Sequence, residues 1–190
     1  MLKKLIINLC VAVFLIGLTG CETASIIDII HPVTEDKELS KSNFSDPELK
    51  PYLIEGVLFN PYMRQGDTTE IGEDYYYHYY LRLAVYKHPK NTSAVTVNSV
   101  KIVGGNDVTF KDVYQDISTP LEFTIDEKHE SIQVSDGTLI EEINDYNMNL
   151  TDNSKLKLTL NVSVESNGKT MTRDLTYVFE TRTRTFNVMR

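Results

Sequence analysis

From Leu156 to Val164 every second residue is apolar: Leu156, Leu158, Leu160, Val162 and Val164 alternate with Lys155, Lys157, Thr159, Asn161, Ser163 and Glu165. Successive side chains of a strand point to opposite faces, so the pattern predicts a half-buried strand over 155–166. Asn167-Gly168 follows, the dipeptide best suited to a two-residue hairpin turn in which both residues take positive φ. Such a turn fixes the register of a second strand over 169–182, with Leu160 facing Leu175, Leu158 facing Tyr177 and Leu156 facing Phe179. On the other face the same register sets Lys155 against Glu180, Asn161 against Asp174 and Thr159 against Thr176, all compatible cross-strand pairs. Arg173, opposite Val162 on the apolar side, is the misfit; it marks a sheet edge or a partner carboxylate.

Upstream, short segments rich in Val, Ile, Thr, Tyr and Phe alternate with Gly, Asn, Asp and Pro turns, and no helical period survives beyond Tyr52. Strands are expected over 52–59, 75–87, 94–103, 107–114, 121–126, 131–134 and 138–143, besides the C-terminal pair. That many short strands suit an all-β domain over 52–190, a two-sheet antiparallel sandwich of immunoglobulin-like or transthyretin-like type. Such a likeness of architecture carries no function with it.

The first twenty residues are different. Lys3 and Lys4 precede an apolar run from Leu5 to Leu18, broken by Asn8 and ended by Thr19-Gly20-Cys21. A spanning helix needs about 20 apolar residues, so the run is too short and has the layout of a removed signal peptide. Leu18-Thr19-Gly20-Cys21 resembles the lipobox of bacterial lipoproteins. The resemblance covers the leader only, and implies cleavage before Cys21 with two or three acyl chains attached there. At about 0.8 kcal/mol per buried methylene, that number of chains anchors a protein effectively permanently. Glu22 is not the Asp that commonly holds enteric lipoproteins in the inner membrane, which favours the outer membrane in a host that has one. Residues 21–51, punctuated by Pro32, Pro47 and Pro51, are expected to be a tether. Its Ile26-Ile27-Ile29-Ile30 patch would rest on the membrane or dock on the domain, and residues near 46–50 suit a helical turn.

Charge and cysteine content narrow the partners. The chain has 19 Lys+Arg against 27 Asp+Glu, and losing Lys3 and Lys4 with the leader moves the net charge from −8 to −10. An acidic domain is repelled by nucleic acid and by anionic lipid head groups, so lipid rather than charge must hold it to the membrane. Cys10 and Cys21 are the two cysteines, and only Cys21 outlasts cleavage. The mature domain therefore has no disulfide framework and must rest on its hydrophobic core.

Candidate chemistry is sparse. No G-x-S-x-G elbow occurs, and His31, His88 and His129 are dispersed without metal-ligand spacing. Asp67, Glu70, Glu73 and Asp74 group four carboxylates but lack the order of a preformed calcium loop, and a solvated acidic turn accounts for them. The Gly104-Gly105-Asn106-Asp107 turn is accounted for by a hairpin connection. No catalytic residue, metal or cofactor is expected. The unusual feature is the run Tyr75 to Tyr86, which as a strand sends Tyr75, Tyr77, Tyr79, Leu81, Leu83 and Val85 to one face and Tyr76, His78, Tyr80, Arg82, Ala84 and Tyr86 to the other. The first face must enter the core. The second joins Tyr and Arg, which give large contact area with few rotors to freeze, so Tyr76, His78, Tyr80, Arg82 and Tyr86 form the candidate binding face. Tyr also has high β-propensity, and a purely structural Tyr row is the competing explanation.

The expectation is a non-catalytic, lipid-anchored cell-envelope protein that binds another envelope component, most plausibly a protein. An assembly subunit of a secretion or surface apparatus is the structural alternative. A carbohydrate-binding lipoprotein is the third, weakened because the chain has 11 Tyr and no Trp.

Overall fold

The computed structural model describes residues 22–34, 44–71, 74–104, 109–113, 120–126, 129–144 and 155–188. Its strands are β1 (Glu22–Ile30), β2 (Leu53–Ile54), β3 (Val57–Ile71), β4 (Asp74–Lys87), β5 (Ala94–Gly104), β6 (Thr109–Val113), β7 (Thr124–Asp126), β8 (His129–Asn144), β9 (Lys155–Ser166) and β10 (Lys169–Val188). A 3-10 helix spans Pro47–Tyr52. Two five-stranded sheets result, one ordered β1-β10-β9-β5-β6 and the other β2-β3-β4-β8-β7. The chain is an all-β, two-sheet sandwich, as its alternation predicts.

Backbone packing divides the chain into two units. Of the smaller, residues 22–27 and 183–188 are described, and Ile26 is buried there. Asp28–Arg182 forms the larger unit and holds the core. Leu156, Leu158, Leu160, Val162 and Val164 of β9 meet Phe59 of β3 and Tyr79, Leu81, Leu83 and Val85 of β4 in a single apolar cluster. Strand β5 adds Val95, Val97, Val100 and Ile102, in which the alternation slips by one residue. A register shift between Val97 and Ser99 absorbs the slip, so both pairs of apolar residues face inward.

The C-terminal hairpin has the expected register at every pair named above. Asn167 (φ 53°) and Gly168 (φ 72°) form its turn. Asn161 Nδ2 donates to Asp174 Oδ1 at 2.6 Å, and Lys155 lies 3.9 Å from Glu180. Arg173 is exposed opposite buried Val162, because the inward face of β10 leaves the core before the turn.

Four expectations change. The stretch read as a tether contains the strand β1, whose Ile29 enters the main core, while the helical turn expected near 46–50 is present as the 3-10 helix. Asp46 caps the helix by accepting from the Glu48 amide at 2.9 Å. The single strand expected over 52–59 is split by a turn at Glu55 (φ 49°) and Gly56 (φ 73°), which the Asn91 amide holds through the Glu55 carbonyl at 2.9 Å. Segments 131–134 and 138–143 are one strand, β8, and β3 runs on to Ile71 through Pro61. Among the described residues β2 pairs only with Val57 and Leu58, so Pro61 lies on a side of β3 with no described partner strand, where a proline N–H is not needed.

Candidate functional site

Along β4, Tyr79, Leu81, Leu83 and Val85 are buried, while His78, Tyr80 and Arg82 lie half-buried on the alternate face, where Ala84 is buried as well. Tyr76 lies on the same strand, but its side chain is outside the described residues, as are those of the acidic loop over 67–74. Cys21 and the leader also lie outside them.

Tyr86 shares that face but is covered. It packs against buried Leu49 and Leu58, with Val33, Phe44, Tyr52 and Leu53 around the same small cluster. The 3-10 helix supplies Leu49, so that end of the outward face is a satellite core rather than an open surface.

In place of Tyr86 the register supplies two residues from β3. Arg64 stands opposite Tyr80 and Tyr62 opposite Arg82. The four make a two-by-two lattice in which each arginine has tyrosines as its nearest neighbours and the arginines occupy a diagonal. Arg64 is exposed, and its guanidinium lies 5.3 Å from the Tyr62 ring centroid. A cation–π contact of that kind contributes about 0.5–1 kcal/mol and narrows the rotamers of the arginine. Gly66 sits where β3 slips register between Gln65 and Thr68, and the Tyr80 ring occupies the space a Cβ there would fill. Tyr62, His78 and Arg82 each have a further interaction within the protein. The sequence carried a signal for Tyr62 and Arg64 in the alternation Leu58, Asn60, Tyr62, Arg64; Pro61 and the acidic stretch beyond concealed it.

A buried polar cluster lies elsewhere in the larger unit. His31, 4% exposed, takes Thr34 Oγ1 at 3.0 Å on Nδ1 and Tyr52 Oη at 3.3 Å on Nε2. The rings of Tyr52, Tyr177 and Phe179 surround it, and Tyr52 stacks on Tyr177 at 4.6 Å. Burial lowers the His31 pKa to about 4 and raises that of Tyr177 well above its ordinary value, with Tyr52 adding to the latter. His31 was read as part of the tether; it is instead a packed core residue.

Lys87 continues the inward parity of Val85 and is 6% exposed. Its Nζ donates to the Ser93 carbonyl at 2.8 Å and lies 4.1 Å from the centroid of the Phe123 ring, and burial lowers its pKa. The outward face of the other sheet carries a row of short polar side chains. Asn98 Nδ2 donates to Asn161 Oδ1 at 2.7 Å and to Ser163 Oγ at 2.9 Å, and Ser163 lies 2.8 Å from Thr172 Oγ1.

Among the described residues, no group of three or more His, Cys, Asp or Glu is placed to hold a metal ion, and no helix is long and apolar enough to cross a membrane. No family model, curated protein or solved structure matches the chain.

Proposed function

We propose that the mature protein is a lipoprotein of the bacterial cell envelope, anchored through lipid on Cys21, whose sandwich binds a second envelope protein. The lipobox-like Leu18-Thr19-Gly20-Cys21 supports the anchor. The observation that carries the binding role is the cross-strand lattice of Tyr62, Arg64, Tyr80 and Arg82. Tyr and Arg are the side chains that most often dominate protein interfaces, because each presents a rigid, amphipathic surface at small entropic cost. The lattice offers phenols and guanidiniums, groups suited to contact rather than to turnover.

A photo-cross-linking residue placed at Tyr62 of the full-length protein in intact cells tests the reading. One envelope protein captured in fixed ratio supports it. Capture of glycan alone, or none from a protein whose Cys21 carries lipid, overturns it.

The carbohydrate-binding reading keeps one observation in its favour, the hydrogen-bonded row of Asn98, Asn161, Ser163, Thr172 and Asp174 on the other sheet. Short amides, hydroxyls and a carboxylate held in place are the groups that recognise sugar hydroxyls. Loss of glycan capture in an Asn161→Ala variant is the result that would favour it.

A further inference from the structure

We infer that Lys87 and Ser93 form a buried site for a halide-sized monovalent anion, where β4 ends and β5 begins. Lys87 is 6% exposed, and the partners of its ammonium among the described residues are neutral: the Ser93 carbonyl at 2.8 Å and the Phe123 ring at 4.1 Å. An ammonium has three N–H donors, so the carbonyl and the ring leave it able to donate again. A buried charge without a counter-charge is costly, and burial lowers the Lys87 pKa, the direction an adjoining carboxylate would oppose. Exposed lysines such as Lys155 and Lys157 are solvated and screened; burial is what sets Lys87 apart.

Ser93, 2% exposed, supplies the second donor. Its amide donates to Asn91 Oδ1 at 2.9 Å and its carbonyl accepts from Lys87, while its hydroxyl oxygen is buried with no hydrogen-bond partner among the described residues. Buried hydroxyls in native proteins are bonded to protein, to water or to an ion. The loop that carries Ser93 is fixed: the Asn91 amide donates to the His88 carbonyl at 2.7 Å, and Asn91 Nδ2 to the Glu55 carbonyl at 2.9 Å. The Ser93 hydroxyl and the carbonyl that holds Lys87 belong to one residue, so hydroxyl and ammonium are close neighbours. A water would accept from both and leave the charge uncancelled; an anion satisfies the hydroxyl and cancels the charge. Burial sets the size, because the Phe123 ring covers the ammonium and leaves a single atom better accommodated than sulfate or a carboxylate side chain. Phe123 is half-buried on a segment without regular structure, which the Leu121 amide ties to the Val95 carbonyl at 2.8 Å, and turning its ring gives an ion its way in.

The test uses full-length protein and chloride NMR, with ionic strength held at about 0.2 M by sodium gluconate. The chloride line should broaden in proportion to protein and narrow again when bromide competes, while sulfate leaves it broad. Chloride replacing gluconate should raise the thermal midpoint along a saturating curve. Ser93→Ala, which removes the unpartnered hydroxyl and keeps the backbone bonds of the loop, should weaken chloride about tenfold. Lys87→Met should abolish the broadening, and Lys90→Met, the same charge change at an exposed position of the same loop, should leave it within about twofold. Crystals grown in bromide should show its anomalous signal within hydrogen-bond distance of Lys87 Nζ and Ser93 Oγ. A water in that place, equal effects of chloride and gluconate, unchanged affinity in Ser93→Ala, or equal losses in Lys87→Met and Lys90→Met each overturns the inference. Should Lys87→Met fail to fold, Ser93→Ala and the bromide signal decide it.

Discussion

Tyr177 of one sheet donates its hydroxyl to the Phe59 carbonyl of the other at 2.9 Å, so a side chain of the C-terminal hairpin is hydrogen-bonded to the backbone of β3 across the core. Removing only the hydroxyl, Tyr177→Phe, should lower stability by about 1–2 kcal/mol, since a buried carbonyl loses its donor. Tyr177→Ala should cost about 3–5 kcal/mol through lost packing. Urea denaturation of both variants checks the pair; equal losses would mean the hydrogen bond contributes nothing.

The hairpin turn offers a cleaner backbone measurement. A Cβ at Gly168 meets nothing within 4 Å, yet the residue has φ +72°. Gly168→Val should therefore destabilise by roughly 1–3 kcal/mol from conformation alone. A neutral result in thermal or urea unfolding would show that the turn relaxes freely.

Acid should weaken the fold through His31. Its folded pKa of about 4 lies below the ordinary 6.5, so between those values the unfolded chain binds a proton that the folded chain refuses. Stability from this group is full above about pH 6.5, falls as pH drops toward 4, and is lost below it, by up to about 3 kcal/mol. Unfolding free energies at pH 7 and pH 4.5 should differ less in a His31→Gln variant than in the native chain. An unchanged difference would assign the acid sensitivity to other groups.

Neighbouring tyrosines of β4 should behave in opposite ways. Tyr79 is buried in the core, and Tyr79→Ala should cost about 3–5 kcal/mol of stability. Half-buried Tyr80 lies over Gly66, and Tyr80→Ala should cost about 1 kcal/mol of stability while sharply reducing capture at the lattice. Thermal melts and cross-linking yields separate the two effects. Tyr80→Ala unfolding the protein while Tyr79→Ala leaves it intact would invert the face assignment.

What the sequence made legible was local. Asn167-Gly168 and the apolar alternation after Lys155 specify a hairpin by themselves, because turn chemistry and side-chain parity agree over a dozen residues. The Glu55-Gly56 turn was hidden, since Glu rarely takes positive φ and the Asn91 bond that steadies it comes from 36 residues away. The isoleucines of β1 gave an apolar patch without a partner, and only pairing with the C-terminal strand tells a docked strand from a membrane-facing one. The lattice was half visible: β4 announced its tyrosines, while Arg64 and Tyr62 became neighbours only through a register interrupted by a bulge.

Pro61 and the register slip at Gln65/Thr68 have a consequence for how copies of the chain meet one another. Beyond Leu58, β3 has no described strand on its outer side, and a bare edge of that length invites another sheet to add to it. A missing amide at Pro61 and a kink a few residues later deny an incoming strand an unbroken ladder. Copies that meet edge to edge are in this way kept from fusing their sheets into a continuous fibre.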